Sequence, residues 1–124
     1  MSHFPSIRVL NQAFQQGTLT PMQLVEFILM RAQNAGSGVL LHTFQSEALM
    51  EAEASTQRWS KQQSLGLFDG IPCVWKDLFD IKGSVTTAGS LAYRTQAPAL
   101  VDAPIVSFYK QKGGITIGKA GLSE

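Results

Sequence analysis

The spacing of apolar residues in the first third of the chain predicts two helices. Within residues 6–16 apolar side chains recur at helical spacing, and Gly17 follows where a left-handed residue commonly ends a helix. Residues 20–23, TPMQ, then carry the signature of a capping box, with Thr20 as N-cap and proline at the first helical position. The second helix is expected to end near Asn34.

The rest of the chain predicts an α/β fold. Residues 39–44 are a short apolar run that favours a strand, and residues 46–63 predict an amphipathic helix that is polar enough to lie on a surface. Residues 71–75 and ITIG at 115–118 predict two further strands. A helix with Asp102 as its N-cap is expected between them. Helices followed by strand, loop, helix and strand are α/β organisation, with the first strands of a mixed sheet.

The chain is poor in charge for a soluble domain. Of its 124 residues 15% are charged, against roughly a quarter in ordinary domains, so we expect a partner chain or more of the same chain to cover part of its surface. The net charge of +1 and the absence of a basic stripe disfavour nucleic-acid binding driven by charge. The final residues, GKAGLSE, close no element, and an exposed last strand is a liability in solution. We therefore expect an incomplete domain.

Cysteine, histidine and hydropathy exclude several classes of site. The single cysteine, Cys73, excludes an internal disulfide framework and a cysteine-rich metal site. His3 and His42 are too far apart in sequence to suggest a metal site, and no cofactor is predicted. The start of the chain lacks a signal-peptide pattern, and no apolar run approaches the roughly 20 residues that span a bilayer. A cytoplasmic protein without a membrane partner is expected.

One segment matches a phosphate-binding pattern without the required context. Residues 113–119, GGITIGK, fit G-x-x-x-x-G-K, but Ala120 stands where a hydroxyl is needed for magnesium. The β-branched interior of the segment favours a strand, and a helix is predicted before it. The preferred interpretation is a helix stop followed by a strand.

The residue that most suggests chemistry is Lys76, which ends the apolar run GIPCVW. In one interpretation its stem lies on apolar surface, its ammonium reaches water, and Asp77 or Asp80 pairs with it. In the other, Lys76 is buried and kept neutral, so that it takes a proton from a hydroxyl nucleophile. Spacing alone favours the first interpretation. Trp75 is expected to point to the opposite face and to pack in the core.

Two longer segments, GIPCVWKDLFDIKGSVTTAGS and DAPIVSFYKQKGGITIGKAGLSE, resemble the amidase signature family. Its members typically read Gly-Ile-Pro, a short apolar stretch, Lys-Asp and a Thr-Thr-x-Gly-Ser-like loop, then an Asp-Ala-x-x-Val helix and an Ile-x-Gly-Lys-x-Asn-x-x-Glu segment. The resemblance is strong over residues 66–124 and looser before them. It implies that residues 1–124 are the N-terminal part of an amidase signature domain, helical over 1–63, with the Lys76 strand, a loop, a helix and a strand over 64–124.

The resemblance implies a hydrolase that cleaves carbon–nitrogen bonds of small-molecule amides with a Ser–cis-Ser–Lys triad. Lys76 matches the lysine that acts as base through a serine on a cis peptide bond and so activates a second serine. The segment that carries both serines in the family lies downstream of the position matched by Glu124, and Ser84, Ser90 and Ser107 are not in such a segment. Because triad members act as a unit, the chain alone is expected to be inactive and to need the remainder of an amidase chain.

Smaller expectations concern the loop VTTAGS and the residue after Lys76. Four loop residues either shape the wall of the substrate pocket, as the resemblance implies, or only make a tight turn: Thr86, Thr87, Gly89 and Ser90. Asp77 either orients the Lys76 region or caps the following turn, and the second role is favoured. Ala120–Gly121 stands where the family often has Thr-Asn, which weakens any transfer of contacts to these positions.

Two other functions stay open. One is that of the amidotransferase component that hydrolyses glutamine and passes ammonia on, in a tRNA-dependent glutamyl-tRNA(Gln) amidotransferase. Only in that case is nucleic acid expected nearby, and the loop TTAGS favours a free-standing amidase. The other is a non-catalytic remnant or interaction module, marked by a native, folded product of 124 residues. The residues do not specify a substrate. A homodimer would form through the helices before Gly36.

Overall fold

The computed structural model describes residues 5–34, 40, 42–87 and 97–121. Within these ranges the chain forms helices and a small mixed sheet, which confirms the predicted α/β class. The elements follow in the order α1 Ile7–Gln16, α2 Pro21–Asn34, β1 His42–Thr43, α3 Gln45–Ser60, β2 Pro72–Lys76, α4 Pro104–Gln111 and β3 Ile115–Ala120. None of the helices in the described ranges is long and apolar enough to cross a membrane.

The first two helices begin and end where the local sequence predicts. Ser6 caps α1 by accepting a hydrogen bond from the Val9 N–H at 3.1 Å, and Gly17 ends it in the left-handed conformation, with φ of 79°. The predicted capping box of α2 is present. The Thr20 N–H donates to Gln23 Oε1 at 3.0 Å, and the Gln23 N–H donates to Thr20 Oγ1 at 3.1 Å.

The sheet places the carboxyl ends of two strands side by side. Its order is β1-β3-β2, in which β3 is antiparallel to β1 and parallel to β2. The register pairs Lys76 with Ala120 at the ends of the parallel strands. The Asp77 N–H extends this ladder by donating to the Ala120 carbonyl at 3.0 Å. The backbone that carries Lys76 is therefore fixed to the end of β3.

Two apolar clusters hold the helices and the sheet together. The first joins α2 and α3 to β3 through Val25, Leu29, Ala48, Ala52, Ile115 and Ile117. The short side chains of the two alanines let α3 approach β3 closely, so one face of α3 is buried although its polarity predicts a surface helix. The second cluster contains Phe44, Ile81 and Val106, with Trp75 packed against it. Trp75 is thus part of the core, as predicted.

The two predictions for the segment around α4 have different outcomes. GGITIGK is a helix stop followed by β3, as predicted, and Gly113 has φ of 87°. A Cβ at that glycine would lie 2.5 Å from Asp69 Oδ1, so the position excludes a side chain as well as a negative φ. The predicted cap at Asp102 is wrong: α4 begins at Pro104 with Ala103 as N-cap. Asp102 instead accepts hydrogen bonds from the Lys82 N–H at 2.8 Å and from the Lys110 ammonium at 3.1 Å.

Candidate active site

Lys76 ends β2 with its side chain exposed. The burial that the second interpretation requires is therefore not observed in the described part of the chain, although the role of Lys76 as a base stays a prediction. The pairing proposed in the first interpretation is also absent there, because Asp77 pairs with Lys119 and Asp80 accepts a hydrogen bond from the Thr86 hydroxyl at 2.6 Å. Strand alternation explains the difference: Trp75 and Asp77 point inward, so Lys76 between them points outward.

Asp77 is buried and joins the end of β2 to a loop that follows it. Its Oδ2 atom accepts hydrogen bonds from both the N–H, at 3.2 Å, and the hydroxyl of Thr87. Its Oδ1 atom lies 3.1 Å from the Lys119 ammonium, but among the described residues it has no hydrogen-bond partner. The favoured prediction, a cap on the immediately following turn, is wrong, because the carboxylate holds a residue ten positions further on.

Lys119 is the site residue that sequence reasoning missed. Its side chain is 2% exposed, and its ammonium donates to Thr86 Oγ1 at 3.1 Å and to Ser84 Oγ at 3.4 Å, besides pairing with Asp77. The sequence shows it only as the last residue of GGITIGK. A lysine at the end of a β-branched strand is the available signal, since a buried ammonium needs a buried carboxylate as its partner.

The electrostatics of this group favour an ionised Asp77. Burial alone would raise the pKa of the Asp77 carboxyl, but the hydrogen bonds from Thr87 and Lys119 and the charge of Lys119 outweigh it. The pKa of Asp77 therefore lies below its ordinary value. A carboxylate and an ammonium form the charged centre of the group, and the hydroxyls of three neighbours surround them: Ser84, Thr86 and Thr87.

A cavity of about 440 Å³ lies at this group. It is lined by His42, Asp77, Gly83, Ser84, Val85, Thr87 and Lys119. Thr87, which the resemblance places near the substrate pocket, is therefore in the wall of a cavity, and its contact with a substrate stays a prediction. The other two predicted pocket residues, Gly89 and Ser90, lie outside the described residues.

Comparison with known proteins shows the class to which this fold and site belong. The family model Amidase matches residues 23–124. The chain therefore belongs to the amidase signature family, which confirms the predicted resemblance. The match begins in α2, so it also includes N-terminal helical segments where the sequence motifs are looser.

Relatives and solved structures agree with this assignment. The glutamine-amidotransferase relative from Neorickettsia sennetsu, the A component of its glutamyl-tRNA(Gln) amidotransferase, is 31% identical over 121 residues, which cover 96% of this chain and 25% of the relative. The corresponding human mitochondrial component is 33% identical, with coverage of 96% and 22%. The native peptide amidase of Stenotrophomonas maltophilia has a similar fold, with a TM-score of 0.80 and 25% identity over 96% of this chain and 25% of the amidase. The chain thus spans about a quarter of the length of these relatives.

Proposed function

We propose that residues 1–124 form the N-terminal part of an enzyme that hydrolyses amide bonds, with Lys76 as the base of a Ser–cis-Ser–Lys triad. The observation that carries this proposal is the position of Lys76. Its backbone is fixed at the carboxyl ends of two parallel strands, and its side chain is exposed beside a buried ion pair. Ligands of open α/β sheets bind beyond the carboxyl ends of the strands.

Exposed apolar residues near Lys76 support a site that further chain completes. Val74 on β2 and Leu78 just after it are 44% and 55% exposed, and Ile105 and Phe108 on α4 are 54% and 55% exposed. β2 is also the outermost strand of the described sheet on this side. Further chain packed there would cover apolar surface and bring hydroxyl groups toward Lys76.

The serines of the chain do not supply the missing nucleophile. Ser84 donates its hydroxyl proton to the Ile81 carbonyl at 2.8 Å, and it accepts a hydrogen bond from Lys119. Its hydroxyl is therefore engaged within the described fold. Ser107 accepts a hydrogen bond from Gln111 on α4, and Ser90 lies outside the described residues. The proposal is accordingly that residues 1–124 do not hydrolyse amides by themselves.

The test of the catalytic role is Lys76→Ala in the native protein that carries these residues. Loss of the base removes the unit function of the triad, so we expect turnover of an amide panel to fall by about 1,000-fold or more. Lys61→Ala is the matched control, because Lys61 is also an exposed lysine but follows α3. Retention of turnover by the Lys76 variant would contradict the proposal.

A second experiment tests the chain alone. Purified residues 1–124 should show no hydrolysis of the same amide panel above the rate of the buffer. Serine-dependent hydrolysis, removed by Ser84→Ala or Ser107→Ala, would show that the chain contains its own nucleophile and would refute this part of the proposal.

A second candidate function is glutamine hydrolysis within a glutamyl-tRNA(Gln) amidotransferase. The identity of 31% and 33% to components of two such enzymes, over 96% of this chain, favours it. In that role the same site would hydrolyse glutamine and pass ammonia on. Partner proteins that co-purify with the native protein, together with a strong preference for glutamine in the amide panel, would select this function over a free-standing amidase. A third, a non-catalytic remnant, would be selected by a folded native product of 13.5 kDa without activity.

A further inference from the structure

The ammonium of Lys119 contacts separate parts of the chain that meet near Lys76. It pairs with Asp77 at the end of β2, and it donates to Ser84 and Thr86 in the loop that follows. It is itself fixed on β3, the central strand of the sheet. One buried side chain therefore connects two strand ends and a loop.

We propose that Lys119 is a positioning residue for Lys76, acting through Asp77 and the hydroxyls of the loop 84–87. The inference rests on the proposed function of Lys76. Its chemical content is geometric: Lys119 does not exchange a proton with the substrate, but it holds the segment that presents the base in one arrangement.

The first step of the argument is the attachment of residue 77. Its N–H donates to the Ala120 carbonyl at 3.0 Å, and its carboxylate lies 3.1 Å from the Lys119 ammonium. Both the backbone and the side chain of Asp77 are thus tied to consecutive residues of β3. Since Asp77 directly follows Lys76, a shift of the Lys76 backbone would disturb both contacts.

The second step is the attachment of the loop. Thr86 accepts a hydrogen bond from Lys119 and donates to Asp80, while Thr87 donates to Asp77. The loop is therefore held to the ends of both strands and forms one wall of the cavity. A change at Lys119 would move this wall and the end of β2 together.

The third step is the cost of the arrangement. Burial of an ion pair is a weak way to stabilise a fold, because removal of two charges from water offsets most of their attraction. Here Asp77 Oδ1 has no hydrogen bond among the described residues, so the pair is further from full compensation. A pair of this kind at the side of the proposed base favours a role in geometry over a role in stability.

The experiment compares charge removal at this pair with charge removal at the other buried aspartate of the described chain. The native protein is prepared with Lys119→Met, with the double change Lys119→Met and Asp77→Asn, and with Lys76→Ala. The double change leaves no orphan charge, so it is expected to melt at a higher temperature than Lys119→Met alone. The control is the double change Arg58→Met and Asp69→Asn, which removes an ion pair at 2.6 Å between α3 and the loop before β2.

The expected result is that stability and activity separate. The Lys119–Asp77 double variant regains much of its melting temperature, but its kcat stays about 100-fold low with KM changed much less, as a misplaced catalytic group predicts. The Arg58–Asp69 double variant loses melting temperature and keeps its kcat per folded molecule. Recovery of wild-type kcat in the Lys119–Asp77 double variant would overturn the inference, and so would an equal loss of kcat in the control.

A milder pair of changes keeps the test decisive if charge removal prevents folding. Ser84→Ala with Thr86→Val removes the loop hydroxyls and leaves the ion pair, and kcat should fall about 10-fold. Unchanged kcat would overturn the inference. Lys76→Ala separates the two proposals: if it retains turnover, the proposed function itself fails, whereas its inactivity beside a fully active Lys119–Asp77 double variant refutes only the role of Lys119.

Discussion

Asp69 and Asp77 are both buried carboxylates on the approach to or exit from β2, but their surroundings differ. Asp69 accepts hydrogen bonds on both oxygens: from Ser55 at 2.7 Å, from Arg58 at 2.6 and 2.8 Å, and from the Leu65 N–H at 2.9 Å. Asp77 accepts hydrogen bonds from Thr87 on one oxygen, and within the described residues its other oxygen has only the ion-pair contact with Lys119. The first carboxylate is fully satisfied, whereas the second is not.

This difference separates a structural ion pair from one that we place beside a catalytic residue. The partners of Asp69 belong to α3 and to the chain that leads into β2, so the contact fixes the helix to the sheet. The partners of Asp77 belong to the end of β3 and to a cavity wall. Complete compensation is typical of a contact that stabilises a fold, and incomplete compensation is concentrated at functional sites.

The largest expected effect on stability is that of Asp69→Ala. The change leaves the Arg58 guanidinium and the Ser55 and Leu65 donors without their acceptor, so the free energy of unfolding should fall by about 3–5 kcal/mol. Urea unfolding followed by far-ultraviolet circular dichroism measures it, with Glu53→Ala on the exposed face of α3 as control. A loss below about 1 kcal/mol, the usual value of one hydrogen bond, would contradict the structural role of Asp69.

The second prediction concerns acid pH. Burial raises the pKa of Asp69, but the hydrogen bonds from Arg58, Leu65 and Ser55 and the charge of Arg58 outweigh it, so the pKa of Asp69 is lowered, as is that of Asp77. A lowered pKa in the folded state gives stability that is fully present above the unfolded pKa of about 3.9 and is lost as the pH falls through the folded value. The melting temperature should therefore fall steeply below about pH 4.

Asp69→Asn and Asp77→Asn test the source of this acid sensitivity. Each variant should be less stable than the wild type at neutral pH and should lose less melting temperature on acidification, because one linked carboxylate is gone. Glu26→Gln, at an exposed position of α2, is the control. An acid limb unchanged in both aspartate variants would show that other groups carry the pH dependence.

Gly113→Ala is expected to have an intermediate effect, confined to the Asp69 side of the comparison. The position has a positive φ, and its Cβ would meet the Asp69 carboxylate. Strain of this kind costs about 1–3 kcal/mol. The free energy of unfolding, again from urea denaturation, should fall by that amount while kcat per folded molecule is retained. Gly17→Ala is the matched control, since its φ is also positive but nothing lies within 4 Å of a Cβ there.

The smallest effect is expected from single hydroxyl deletions, one at each aspartate. Ser55→Ala and Thr87→Val each remove a hydrogen bond to a buried carboxylate, and each should cost about 1 kcal/mol of unfolding free energy. Turnover should fall only in Thr87→Val, because of these two residues only Thr87 lies in the cavity wall. Equal turnover in the two variants would remove the distinction between the two carboxylates.

The fold was predictable where the deciding contacts are local. The capping box at Thr20 and the stop at Gly17 involve residues three or four positions apart, and both are present. Asp102 was mispredicted for a local reason too, because Pro104 sets the first turn of α4 one residue later than an Asp102 cap requires.

The site was predictable only in part, because its central contact is distant in sequence. Lys119 and Asp77 are far apart along the chain, and nothing local pairs them. The choice of the buried residue was also ambiguous. Strand side chains alternate, so a core position for Trp75 already places Asp77 inward and Lys76 outward. Burial of both Trp75 and Lys76 would need cover on both faces of β2, which the described residues do not provide for Lys76.

The measurement that tests the central claim most directly is the intact mass of the native product in its source, by immunoblot and mass spectrometry. The account predicts a species several-fold heavier than 13.5 kDa, in which residues 1–124 carry Lys76 and further chain supplies the serines. A single native species at 13.5 kDa would contradict it. Lys76 would then have no serine partners of the triad within its own chain, and the site would have to be explained by a partner protein or by a role other than catalysis.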